Sequence, residues 1–153
     1  MHDRYDLAIL AALQEDASLT NTVLSERINL SPSQCSRRRI ALEQSGVISG
    51  YRAQINAASM GYTIESYTRV TLATHTERAS EEFSDYLQPL PEVVEAQALT
   101  GDADYLLRIH VKSLEALADF IHHELLPHAV VSQVKSDIVL KTIKARCGIQ
   151  ILP

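Results

Sequence analysis

The apolar residues of this 153-residue chain change their period near residue 60. Before that point they recur every three or four residues, the spacing of a helix buried on one face. After it, alternating stretches, which suit strands, are separated by helical stripes. This predicts an all-helical unit over 1–60 followed by an α+β unit over 61–153, and the length suffices for two small domains. Apolar residues make up 46% of the chain, enough for a core in each. No run of about 18 apolar residues occurs, so no membrane span is expected. The opening Met1-His2-Asp3-Arg4-Tyr5-Asp6 lacks the basic-then-apolar pattern of a secretion signal, which predicts a cytoplasmic protein. Cys35 and Cys147 have no CxxC partner and are expected to be free thiols.

In the first part, Tyr5, Ala8, Ile9, Ala12 and Leu13 share one face of a helix over 5–15. Thr20 suits the cap of a short second helix that turns Leu24 and Ile28 inward. The third helix has the clearest start in the chain. Ser31 is a good N-cap, Pro32 fits the first helical position, and Gln34 completes a capping box. It runs to about Ser45, and Gly46 stops it. Val47–Tyr51 and Ala53–Ile55 are expected to form a short wing or linker strand.

The second part reads strand, helix, strand, strand, helix, strand. The first strand covers 67–73, with Thr68, Val70 and Leu72 on one side. A helix over 79–87 turns Phe83, Tyr86 and Leu87 inward, and Pro89 and Pro91 end it. A strand over 93–100 leads to a turn at Gly101-Asp102-Ala103-Asp104. The third strand puts Tyr105, Leu107, Ile109 and Val111 on one face. Leu114, Leu117, Ala118, Ile121 and Leu125 form the stripe of the last helix, and the last strand covers 130–140. This βαββαβ order is the ferredoxin-like arrangement. Its helices cover one sheet face, and a second subunit is the simplest cover for the other.

The net charge of -5 is unevenly placed. Residues 1–60 carry six Arg against six Asp or Glu, and residues 61–153 carry eight Lys or Arg against thirteen acids. A local basic patch on an acidic body still allows specific DNA binding. That patch is Arg37-Arg38-Arg39 on the capped helix. Three short helices with such a third helix fit a helix-turn-helix, whose recognition helix enters the major groove of double-stranded DNA. Its N-terminus, capped by Ser31, favours a phosphate. Ser33, Gln34, Ser36 and Arg37 are expected to face outward, with Gln34 and Arg37 suited to adenine and guanine edges. Arg38 and Arg52 are expected at phosphates. Arg39 follows Cys35 by four residues, where an apolar residue is expected. Its stem packs while its head reaches solvent, or it pairs with an acid.

At this level of detail the chain resembles the Lrp/AsnC family of regulators over nearly its whole length. The fragments that carry the resemblance are Asp6–Leu10, Leu30–Cys35, Arg38, Leu42-Glu43, Gly46–Tyr51, Met60-Gly61, Pro91–Val93, Thr100–Ile109 and Ile138–Lys141. The resemblance implies a winged helix-turn-helix followed by a regulatory domain. It implies homodimers packed sheet to sheet, often built into octamers. It also implies a free amino acid as effector, bound between dimers near Thr100, Gly101, Asp102, Asp104 and Tyr105, with Ser136 from the last strand. Gly101 would let backbone N–H groups approach the effector carboxylate, and Asp102 or Asp104 would take its ammonium. Arg39, Ile40 and Ala41 depart from the family pattern, as does Pro127–Val131.

Two other readings stand beside the regulator. One is a tetrapyrrole decarboxylase of the kind that resembles this family, and the other is an architectural protein that wraps DNA with little specificity. His122, His123 and His128 lack a completing ligand set, so no metal is expected. The serines lack His and acid partners for nucleophilic catalysis. No cofactor and no enzymatic role are expected.

Overall fold

A computed structural model describes residues 3–145 and 148–151. The expectation for Cys147 lies outside the described residues. The chain divides into two compact units. One is residues 55–143, and the other joins residues 1–54 to the C-terminal stretch from Lys144. That stretch was expected to belong with the second part.

The first unit, the head, holds α1 (Arg4–Glu15), α2 (Asn21–Ile28) and α3 (Pro32–Gln44). Each starts where a side chain satisfies the first free backbone N–H groups. Asp3 accepts from the Tyr5 and Asp6 amides, Thr20 from Val23, and Ser31 from Gln34. The Gln34 side chain returns a bond to the Ser31 amide at 3.0 Å, which closes the capping box. Gly46 follows α3 at φ 75°, a left-handed conformation that costs a side-chain-bearing residue energy. Ile9, Leu13, Leu19, Leu24, Cys35 and Leu42 form the head core. Burial in that core pushes the Cys35 thiol pKa up, so it is held as a neutral thiol.

The expected wing strand over 47–55 is absent from the described head. Residues 49–56 run without ladder bonds, because a strand needs a partner and the head supplies none. Ile48 is held instead by its amide, which donates to the Leu42 carbonyl at 3.1 Å.

The second unit holds β1 (Ile64–Leu72), α4 (Glu77–Leu87), β2 (Val93–Ala98), β3 (Tyr105–Val111), α5 (Leu114–Phe120) and β4 (Val131–Ile138). The sheet order is β2-β3-β1-β4, with every neighbouring pair antiparallel. This is the expected βαββαβ topology. Val70 and Leu72 of β1 and Tyr105, Leu107, Ile109 and Val111 of β3 join Phe83, Leu87, Leu117 and Phe120 in one core.

The last helix departs from its expected stripe. Leu114 is 55% exposed and Ala118 is also exposed, whereas Phe120 is buried. From Ile121 to Leu125 the helix widens into a π turn, marked by the Leu126 amide bonding to the Ile121 carbonyl at 2.9 Å. One extra residue in that turn shifts the phase of the inward face. Phe120 and Leu125, five apart, are therefore both buried.

The sheet face away from this core carries Glu65, Tyr67, Arg69, Leu106, Arg108 and His110, because side chains alternate along a strand. Arg108 bonds Glu65 at 2.6 Å, and Arg69 pairs with Asp137.

Candidate DNA-binding and effector sites

The three consecutive arginines of α3 have three different fates. Arg38 leaves the helix toward α1, where it bonds Asp6 at 2.7 Å and Asp3 at 2.8 Å. Its guanidinium also lies 5.5 Å from the centre of the Tyr5 ring. Arg39 bonds the Tyr51 hydroxyl at 2.9 Å, Glu43 at 3.3 Å and the Leu19 carbonyl at 3.1 Å. Tyr51 in turn donates to Glu43 at 2.7 Å, and its ring lies 4.7 Å below the Arg39 guanidinium. Of the two readings of Arg39, the acid partner is the one seen: its head pairs with Glu43 and does not reach freely into solvent. It fastens the segment after α3 to the helix itself. Arg37 is exposed, and among the described residues no ion pair or hydrogen bond engages it. Residues two apart on a helix point about 200° apart and adjacent ones about 100° apart, which separates these roles.

Around Arg37 the expected surface forms in part. Ser33 and Gln34 are exposed and Ser36 is half-buried. Ser31 and Ser33 share a hydroxyl contact of 3.0 Å at the helix start. The Gln34 carbonyl oxygen is tied back into the cap, leaving its amide nitrogen for an outside acceptor. Arg52 is exposed beyond Tyr51, whereas Arg38, expected at a phosphate, has its guanidinium occupied by two carboxylates.

The Asp3 link carries an acid signature. The Asp6 amide and the Arg38 guanidinium hold the Asp3 carboxyl below its ordinary value of 3.8. A depressed folded value gives stability that is full above the ordinary value and is lost as pH falls through the lowered one. Asn keeps the N-cap but cannot ionise. Wild type should therefore melt above Asp3→Asn at neutral pH, and the gap should close as pH falls below 3.8 and through the lowered value. Melting of both proteins across that range is the check; a constant gap would refute the assignment.

In the second unit the turn after β2 is built as a socket, but with different members from those expected. Gly101 sits at φ 137°. Thr100 and Asp102 line a concavity of about 350 Å³ together with Arg69, Thr71, Leu99, Gln133 and Lys135. Asp104 is turned inward. One carboxylate oxygen accepts from the Leu72 amide at 2.7 Å, and the other lies 3.0 Å from His75 Nδ1. Its backbone binds Val70 and Leu99. Asp104 therefore stitches the turn to the end of β1.

Tyr105 and Ser136 depart from the expected site. The Tyr105 ring is buried against Phe83 at 5.1 Å, and its hydroxyl donates to the Ser80 carbonyl at 3.3 Å. Ser136 meets Thr68 at 2.8 Å. Both side chains lie on the helix-covered side of the sheet, set by strand parity: Tyr105 pairs with Val70 and Ser136 with Thr68. The concavity takes the opposite parity, hence Arg69, Gln133 and Lys135. Alternation from Val70 and Val134 could have pointed to Arg69, Gln133 and Lys135, but bringing them opposite one another needs the β4 register.

Among the described residues, no group of three or more His, Cys, Asp or Glu could hold a metal ion. No described helix is long and apolar enough to cross a membrane.

Residues 2–49 match the winged helix-turn-helix DNA-binding family, and residues 65–149 match the Lrp/AsnC ligand binding domain. The leucine-responsive regulatory protein of Rhizobium meliloti is 34% identical over 97% of this chain and 96% of its own length. The transcriptional regulator AzlB of Bacillus subtilis is 33% identical over 99% of this chain and 96% of its own. A Neisseria meningitidis transcriptional regulator in complex with L-Met superposes with a TM-score of 0.91 at 37% identity, covering 100% of this chain and 97% of that one. An AsnC family regulator of Agrobacterium tumefaciens gives 0.90 at 30% identity, over 97% of each chain. A helix-turn-helix head followed by a ferredoxin-like ligand domain, in that order and over nearly the full length of these relatives, places this chain in the Lrp/AsnC family of transcriptional regulators.

Proposed function

We propose that this regulator reads double-stranded DNA with α3 and takes a small free amino acid at the turn after β2. The carrying observation is the division of labour among the arginines. Arg38 and Arg39 are spent inside the head, so that Arg37 stands free near the start of a capped helix. A rigid helix with one free guanidinium suits bidentate contact with guanine in the major groove. Ser31, Ser33 and Ser36 flank it as hydroxyl donors, Gln34 offers its amide nitrogen, and Arg52 serves a phosphate.

At the second site, Asp102 takes the effector ammonium. Backbone N–H groups at Gly101 and the Lys135 ammonium receive its carboxylate. The L-Met complex of the Neisseria regulator supports an amino acid in this domain. Asp104 supports the turn and does not touch the effector. The open sheet face packs against a second copy, giving a homodimer and, through further contacts, an octamer. A dimer sets two recognition helices about one DNA turn apart. Effector and DNA affinities are then coupled reciprocally.

The test measures binding to DNA from upstream of the protein's own gene against random competitor, with free amino acids added one at a time. One amino acid should shift the curve. Asp102→Ala should abolish the shift while leaving the melting temperature in place. Asp104→Ala should instead destabilise the second unit by about 1–3 kcal/mol, since it leaves the Leu72 amide without its acceptor. An Asp102→Ala protein that still responds fully would remove this residue from the effector site.

A further inference from the structure

We infer that the C-terminal stretch is a clasp on the DNA head: residues 148–151 dock against α1 and brace the segment that carries Tyr51 and Arg52. This rests on the DNA-binding reading for its consequence, although not for its geometry.

The docking point is Gln14, on the outer side of α1. Its amide nitrogen donates to the Ile149 carbonyl at 2.6 Å. Gly148 lies so close that a Cβ there would overlap the Gln14 side-chain amide. No left-handed φ requires glycine at this position. A side chain here would have to push the flexible end of Gln14 aside, because the backbone passes directly over its amide. Downstream of this point, Ile151 is half-buried, and residues 149–151 form one wall of a cleft of about 510 Å³. The other walls are Leu7, Leu10 and Leu13 of α1 and the run from Val47 to Arg52.

Three observations give the contact a role. The head has two covalent connections, one at residue 54 and one at residue 144, and both lead into the second unit. The tail shares its cleft with Tyr51, which Arg39 and Glu43 fasten to α3. It also shares the cleft with Arg52, proposed above as a phosphate contact. A stretch that follows β4 in the sequence is thus seated against the 47–52 run that carries Tyr51 and Arg52. Its release would loosen the 47–52 segment without touching α3.

Two variants of the whole two-unit protein test this, one truncated before residue 148 and one carrying Gly148→Val, which forces Gln14 aside. The first readout is amide hydrogen exchange, which does not depend on DNA. The Ile48 amide and the amides of the second half of α1 should exchange at least about tenfold faster in both variants. The amides of β3 serve as an internal control and should not change. The second readout is DNA affinity, expected to fall about fivefold, within the range by which remote contacts modulate binding. A synthetic peptide of residues 148–153 should restore slow exchange to the truncated protein. Unchanged exchange at Ile48 in both variants overturns the clasp, as does a loss of protection that spreads equally into β3. If wild type binds no DNA specifically, the DNA reading fails while the exchange experiment still decides the clasp.

Discussion

Phe83→Ala is expected to cost the second unit about 3–5 kcal/mol, the usual loss for removing a fully buried aromatic ring. Phe83 has no exposed surface. Its ring meets Tyr105 at 5.1 Å, His128 edge-on at 5.6 Å and Tyr86 at 6.5 Å. It is thus the residue through which α4 grips both the central strand β3 and the loop before β4. Small domains are stable by only about 5–15 kcal/mol, so a loss of this size takes a large share. The damage should reach the effector turn. Tyr105 is the residue next to Asp104, and its ring is positioned by Phe83. Urea unfolding of the variant should show a midpoint shift at nearly constant slope, and effector affinity should drop with it. A cost under about 1 kcal/mol would mean that the neighbouring rings collapse into the space, and that Phe83 is filler and not a keystone.

The residues that positioned these sites differ in how far local pattern reveals them. The capping box at Ser31 and Gln34 is legible because its chemistry is confined to four consecutive residues. The βαββαβ order is legible because period-2 and helical stripes alternate cleanly. Burial of Leu107 and Ile109 follows from that alternation alone. The fate of Arg38 is not local. Its partners Asp3 and Asp6 lie on another helix, about thirty residues earlier, and only the packing of α1 against α3 joins them. The same holds for Tyr105 and Ser136, whose side of the sheet depends on strand parity and β4 register. A shift of one residue reverses every side chain on a strand. That Phe120 and Leu125 share one face was hidden by the π turn, since periodicity presumes an unbroken 3.6-residue helix, although Phe120 itself follows Leu117 at an ordinary helical step. The C-terminal stretch had no pattern at all to read, and its place on the head comes from a single hydrogen bond and one glycine.

Arg37→Ala should weaken binding to the cognate site by roughly 10- to 100-fold, corresponding to about 1–3 kcal/mol for a lost bidentate base contact. Binding to random DNA should fall far less, because non-specific affinity comes from phosphates and not from base edges. Its neighbours predict different signatures. Arg52→Ala should weaken both DNAs alike and reduce the salt slope by about one. Arg38→Ala should act through the head itself: Asp3 and Asp6 lose a shared partner, and the angle between α1 and α3 is no longer pinned. Its DNA loss should therefore track a lower melting temperature, which Arg37→Ala should leave in place because the exposed Arg37 side chain makes no ion pair or hydrogen bond among the described residues. Anisotropy titrations on cognate and random duplexes at several salt concentrations separate the three. Arg37→Ala losing equal affinity for both duplexes would make Arg37 a phosphate contact. Base readout by α3 would then rest on the Gln34 amide nitrogen and the serines, of which Ser31 is engaged in the cap, and the protein would bind as a low-specificity architectural regulator.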